Sequence, residues 1–302
     1  MKKRILSLIN RLPYIRSLVN FRDEFLKNSC FLPGHYYSPI ISTDEIRKRE
    51  YEVWPEKIES TIEGISLNPE NQIKLVRSFQ TFYDEMPFTE IKTVNCRYYF
   101  KNELYSYTDA IFLYSMIRQF KPKRIIEIGS GFSSAVMMDT NMLFFDNQIK
   151  ITFIEPYSER LRSLMYENDL KNNELIESQL QVVPITIFEK LNDGDVLFVD
   201  SSHVIKTGSD LHEIFFKIIP SLKSGVLIHF HDVFYPFEYP KDWVLEGRNW
   251  NEDYFLRAFL MYNESFEIKL FSDYLHSFHP EIFTNMPLSY KNWGGNLWLQ
   301  KR

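Results

Sequence analysis

Two cysteines in 302 residues, Cys30 and Cys96, stand in no metal-like or redox-like spacing. Neither a disulfide framework nor a cysteine-ligated metal is therefore expected, and free thiols in a reducing compartment, the cytoplasm, are the simplest account. Long apolar runs are missing too. Stretches such as Ile5 to Ile9 fall well short of the roughly 20 residues that cross a bilayer, and no small-residue cleavage site follows them to suggest a secretory leader. There is no basic excess: the formal net charge is -5, which argues against a broad nucleic-acid surface, since that needs clustered Lys and Arg. Internal repeats and low-complexity tracts are absent. With 44% hydrophobic and 25% charged residues, neither disorder nor a fibrous repeat is indicated.

What is plentiful is aromatic. Twenty-six Phe and 18 Tyr dominate a 16% aromatic share; most of these rings must be core, and the rest offer flat surfaces for a sugar-like or aromatic ligand. The length suits one large domain, or an ordinary domain with an extension. Prolines 33, 39, 55, 69 and 87 leave room only for short helices in the first part of the chain, so residues 1–95 are expected to form a helical and irregular extension and residues 96–302 the main domain. Met1 to Arg22 mixes Lys2, Lys3, Arg4, Arg11, Arg16 and Arg22 with Leu6, Ile9, Leu18 and Val19, a pattern of a basic solvated helix or of a segment lying on an anionic membrane face, with Pro13 as an interruption.

From Ser106 onward the signals alternate. Thr108 is a candidate cap for a helix ending at Lys121-Pro122. Strands are expected at Arg124 to Ile128, Ile151 to Ile154, Gln181 to Val183, Val196 to Val199 and Gly225 to Phe230, with helices between them, and later strands at Phe266 to Leu270 and Asn296 to Leu299. Continuously apolar strands alternating with helices imply a parallel sheet buried on both faces, an α/β fold.

The informative segment is Arg124-Ile-Ile-Glu127-Ile-Gly129-Ser130-Gly131-Phe-Ser133-Ser134. A buried strand runs into a turn whose glycines let backbone approach a ligand, and the next helix offers its free N–H groups there. A dinucleotide-binding domain starts the same way. Ser134, however, stands where the third glycine of that fingerprint belongs, and Glu127 would repel a pyrophosphate while suiting a cationic ligand. Glu155 ends the second strand, where an acid can accept ribose hydroxyls in either kind of enzyme.

The run from Lys121 through Ser134 resembles motif I of class I S-adenosylmethionine-dependent methyltransferases, and Ile154-Glu155-Pro156 their acidic second motif. Asp195-Val-Leu-Phe-Val-Asp200-Ser-Ser-His203 and Gly225-Val-Leu-Ile-His-Phe-His231-Asp232 are similar to the fourth- and fifth-strand ends of the small-molecule O-methyltransferase branch, of the methyltransferase family 24 kind. The resemblance covers roughly residues 105–235 and implies a Rossmann-like, mostly parallel seven-stranded sheet with an antiparallel last strand. It also implies S-adenosylmethionine as cofactor, with Glu127, Gly129, Ser130, Gly131 and Ser133 around the methionine part, Glu155 at the ribose and Asp200 at the amino group. No adenine anchor is evident at Val183-Pro184.

Methyl transfer to a hydroxyl needs alignment and a proton acceptor. His203 and His231, each just past a strand end, are the candidate bases, His203 the preferred one, whereas His229 sits inside a strand and reads as structural. Asp200 and Asp232 form a possible site for a hard divalent ion such as Mg2+. Tyr98, Tyr99, Tyr105 and Tyr107, with Phe234, Tyr235, Phe237, Tyr239, Trp243 and Trp250, are candidates for lids on the site, and Asp210, Glu213 and Lys217 for a solvated helix face. The expected acceptor is a small molecule, a sugar or secondary metabolite carrying a hydroxyl. Two other readings remain at this point: a nicotinamide-dependent oxidoreductase, and a binding module that keeps the fold without the chemistry.

Overall fold

The computed structural model describes residues 12–302 and divides into two units. The larger comprises Lys57–Tyr239 and Trp250–Arg302, and the smaller holds the chain up to Glu56 with Pro240–Asn249. The expected boundary at residue 95 therefore falls inside the larger unit: Val76, Phe79 and Phe88 are buried in the same core as the sheet, because the helix Pro69–Ser78 packs on one of the late strands. In the smaller unit, helix α1 (Pro13–Asn28) buries no residue. Pro13 opens this helix, whose first turn has no need of the missing N–H. Lys2, Lys3, Arg4, Leu6, Ile9 and Arg11 lie outside the described residues. Among the described residues no helix is long and apolar enough to cross a membrane.

Seven strands form one sheet: β1 (Arg124–Ile128), β2 (Lys150–Ile154), β3 (Glu174–Ile176), β4 (Val196–Val199), β5 (Leu227–His231), β6 (Phe266–Phe271) and β7 (Asn296–Lys301). Their order is β3-β2-β1-β4-β5-β7-β6. The first five are parallel, and β7 runs antiparallel between β5 and β6. Every residue of β4 and β5 is buried, as the apolar composition of central parallel strands requires. The third strand is not where the sequence pointed. Gln181 and Val182 belong to a 3-10 turn, Leu180–Val182, and the pairing falls to Glu174–Ile176, which matches β2 in register from Thr152 to Ile154; a three-residue edge strand carries too little periodicity to announce itself.

Helix α2 (Thr108–Phe120) is buried along most of its length and packs on α3 (Phe132–Phe144). Thr108 does not cap α2: it is the first helical residue, and its hydroxyl donates to the Ser289 carbonyl at 2.9 Å, tying the helix to the segment before β7. Arg97 fastens the preceding loop to α3, its guanidinium lying 2.6 Å from both Asp139 and Asp169. At the other end, Gly294 and Gly295 let β7 close in. A Cβ on Gly294 would lie 2.4 Å from Asp109 Oδ1, and one on Gly295 2.8 Å from the Asp232 Cα. The strand order reverses between β1 and β4, and an α/β sheet opens its ligand crevice at such a point, outside the carboxyl ends of the strands.

Candidate functional site

The turn after β1 is built on close approach. Gly129 has φ +80° and donates to the Ile154 carbonyl at 3.0 Å, and a Cβ there would sit 1.8 Å from the Asp200 carbonyl oxygen; only glycine fits. Ser130 and Gly131 carry the chain across to α3. Glu155, half-buried at the end of β2, accepts the Ser130 N–H at 3.0 Å and the Tyr157 N–H at 2.7 Å, bracing the turn from the side.

Glu127 faces elsewhere. It is wholly buried, and its carboxylate accepts the Ser133 hydroxyl at 2.7 Å and the Ser134 hydroxyl, while Ser134 Oγ in turn accepts the Gly131 N–H at 3.0 Å. Burial pushes its carboxyl up to about 8 against the opposing pull of these hydroxyls. Ser134, standing at the third-glycine position, is thus the link that joins the acid to the turn. Glu127 does not line the adjoining cleft.

That cleft holds about 460 Å³, within the range of small-molecule sites. Gly129, Glu155, Tyr157, Asp200, Ser202 and Lys206 line it, together with Gln179 and Gln181. The two glutamines bring polar groups to the cleft; Gln181 was read as the start of a strand and Gln179 carried no signal of its own. Asp210, expected on a solvated face, also lines the cleft and accepts the Ser202 N–H at 2.9 Å and hydroxyl at 2.6 Å.

Beyond β4 and β5 four ionisable groups converge. His203, held at φ +57° and buried, has Nε2 at 3.4 Å from Asp200 Oδ1 and 3.8 Å from Asp232 Oδ2, and Nδ1 at 2.9 Å from Glu252 Oε2. Three successive residues hold it: the Trp250 ring lies 4.3 Å from the imidazole, and the Asn251 and Glu252 N–H groups donate to the His203 carbonyl at 3.0 and 3.2 Å. Burial opposes a charge on His203, but its hydrogen bonds to Asp200 and Glu252 outweigh that and hold its pKa well above the usual histidine value. Burial likewise opposes ionisation of Asp200, and the His203 hydrogen bond with the positive charges of His231 and His203 keeps it below the usual carboxylate range. One potential ligand atom from each of Asp200, His203 and Asp232 lies within 4.8 Å of the others.

His231 Nε2 is 3.5 Å from Asp232 Oδ1, with the Tyr105 ring 5.0 Å away. Behind it Asp109, at the start of α2, accepts N–H groups from Gly295 at 3.1 Å and Asn296 at 2.9 Å; burial pushes this carboxyl up to about 6, restrained by His231. His229 lies between Phe198 and Trp298, at 4.1 and 4.7 Å, and burial drives its pKa well below the usual value, as its strand-interior position implied.

Half of the supposed lid is core. Tyr98, Tyr105, Tyr235, Phe237 and Tyr239 are buried, since a strand end this crowded with charge needs apolar packing around it. Glu252 and Asp109 gave no separate sequence signal: acids in the first turn of a helix are commonplace, because the helix dipole favours them there; Trp250, one of the lid candidates, does lie beside His203.

No family model matches the sequence. Over 188 residues the chain is 37% identical to an uncharacterized protein of Archaeoglobus fulgidus, across 60% of this chain and 83% of the relative, and it belongs to the same family. Among solved structures it is similar to a Podospora anserina methyltransferase bound to S-adenosylhomocysteine, at 15% identity over 91% of this chain and 99% of that one, TM-score 0.41. It is also similar to the O-methyltransferase TomG of Streptomyces achromogenes in complex with S-adenosylmethionine, at 13% identity over 85% and 95%, TM-score 0.39. Scores this low do not by themselves assign a reaction.

Proposed function

We propose that the protein is an S-adenosylmethionine-dependent methyltransferase acting on a hydroxyl of a small molecule, a sugar or secondary metabolite. The observation that carries this reading is the sheet. Its antiparallel β7 lies between β5 and β6, as the resemblance to class I methyltransferases implies, whereas a dinucleotide-binding domain runs 3-2-1-4-5-6 in parallel. The glycine turn and Glu155, which alone fit both kinds of enzyme, are thereby weighted towards the methyl donor.

The residues present fit that donor. The Gly129-Ser130-Gly131 backbone would hold its methionine part, Glu155 its ribose and Asp200 its amino group, with Gln179 and Gln181 near the base. Each Glu155 oxygen already accepts one backbone N–H and keeps a second lone pair for a hydroxyl. Bound there, S-adenosylmethionine supplies a methyl group on a positively charged sulfur, for in-line displacement. Glu127 acts at one remove, through Ser133 and Ser134, by fixing the turn.

His203 is the candidate base: in the fraction of molecules in which Nε2 has lost its proton to solvent, the neutral imidazole takes the acceptor's hydroxyl proton there while Glu252 holds Nδ1–H in place. The carboxylates around it strengthen it as a proton acceptor and also keep it largely protonated, so turnover through this base is expected to rise with pH. The Trp250 ring beside it offers the flat apolar face on which a sugar ring can stack. His231, packed under Tyr105 and facing Asp232, serves better to orient that carboxylate.

The convergence of Asp200, His203 and Asp232 favours one variation on this scheme. The two carboxylates suit a hard divalent ion such as Mg2+, with the imidazole as a further ligand; such an ion lowers the pKa of a bound hydroxyl. Titration calorimetry with S-adenosylmethionine and with NADH tests the main reading. Micromolar uptake of the first and none of the second is expected, and the reverse would overturn it.

A further inference from the structure

Among the described residues, nothing covers helix α1 fully. None of its sixteen residues is buried, and its large side chains face solvent, Tyr14 at 74% and Phe21 at 73% exposure. The apolar residues are not scattered. Tyr14, Leu18, Phe21 and Phe25 recur at i, i+4, i+7 and i+11, one stripe along the helix, with Ile15, Val19 and Leu26 beside it. Arg16, Asn20, Asp23 and Lys27 occupy the opposite side.

Charge separates this segment from the rest of the molecule. The first 22 residues carry six basic side chains and no acidic one, in a chain whose net charge is -5. An isolated apolar stripe on an acidic protein would favour self-association; a stripe set among Lys and Arg instead matches a surface that is apolar within and negative at its face. The loop directly after the helix continues the theme. Leu32 is 66% exposed, Tyr36 81% and Tyr37 63%, and Phe31, His35, Tyr36 and Tyr37 stack on one another, with the Phe31 and His35 rings 4.8 Å apart. Tyrosines with an apolar ring and a polar tip suit the boundary between headgroups and acyl chains.

We propose that α1 and the aromatic loop behind it dock the protein on an anionic lipid surface, the helix lying in the plane of the interface with its Tyr14-to-Phe25 stripe turned inward. Arg22, on the flank of the stripe, can swing from its exposed ion pair with Asp23 to the headgroups on its long stem, while Arg16 and Lys27 face away from the stripe. This docking is independent of the reaction proposed above and needs no occupied cleft.

Co-sedimentation of the full chain with vesicles tests it, using phosphatidylcholine alone and phosphatidylcholine with about 30% phosphatidylglycerol. Binding to the anionic vesicles is expected to exceed binding to the neutral ones at least tenfold, and to fall as salt rises from about 0.05 to about 0.5 M. The double substitution Leu18→Glu with Phe21→Glu should reduce it at least tenfold while the unfolding temperature is unchanged, since neither side chain is buried. Equal binding to both vesicle types overturns the proposal. So does binding that survives the double substitution, or a dimer in sedimentation equilibrium that the substitution converts to monomer without any vesicle binding by the parent, which would make the stripe a contact between two copies.

Discussion

Glu127 and Asp200 occupy equivalent places, each at or just past the carboxyl end of a central parallel strand, yet the structure treats them oppositely. Glu127 is sealed behind two serines with no positive charge against it, and burial pushes its carboxyl up to about 8. Asp200 keeps a third of its side chain exposed, lines the cleft and meets His203 at 3.4 Å; that imidazole holds it charged. Strand-end position therefore does not decide what an acid does. A countercharge decides it, because desolvation without one is relieved by taking up a proton, whereas desolvation beside an imidazolium is offset by attraction. The first acid becomes a brace for the glycine turn, and the second a charged group available to a ligand.

The comparison is most exposed to Asp200→Ala. If Asp200 is the working acid, Mn2+, a spectroscopic stand-in for a hard divalent ion, should bind at least a hundredfold more weakly to the variant in paramagnetic resonance titrations, with the circular dichroism spectrum unchanged. An unaltered Mn2+ affinity would remove Asp200 from the metal site and leave it only the donor's amino group. The next largest effect belongs to Glu252→Gln, which keeps the shape beside His203 Nδ1 and deletes the charge. Transfer of labelled methyl from the donor to a panel of hydroxyl acceptors should drop about 10- to 100-fold, the range of an orienting carboxylate behind a catalytic imidazole, while donor affinity by calorimetry stays within about twofold. Full activity in this variant would mean that Glu252 only fills space.

Much of this arrangement was visible in the chain before folding. The apolar runs of β1, β2, β4 and β5 announced a parallel sheet, and Gly129, Glu155, Asp200, His203, His231 and Asp232 all fall at its carboxyl edge as the alternation of strand and helix implied. What stayed hidden has physical reasons. The edge strand Glu174–Ile176 is too short for a period, so Gln181, which lines the cleft, looked like a strand residue. Glu252 comes to His203 from 49 residues away, a pairing that no local pattern encodes, and Asp109 meets Gly295 and Asn296 across 186 and 187 residues. The charge on Glu127 could be counted, but its burial behind Ser133 and Ser134 is a tertiary fact, and with it the argument that this acid meets a cationic ligand directly loses its geometry.

Glu127→Gln gives the smallest expected effect on ligand and the clearest on stability. An unfolded chain releases the Glu127 proton near the ordinary value of 4.5, whereas the folded protein keeps it to about pH 8. Between those values the folded state binds the extra proton, so the contribution of this group to stability is fully present below pH 4.5, falls as pH rises to about 8 and is flat beyond. Glutamine has nothing to titrate and keeps an oxygen for one serine. In denaturant titrations the variant should therefore gain on the parent as pH rises from 5 to 9, by at most about 5 kcal/mol, with donor affinity at pH 7 within about threefold. A stability difference that ignores pH, together with a hundredfold loss of donor affinity, would mean that the carboxylate is ionised and touches the ligand, and Glu127 and Asp200 would then be two acids of one kind.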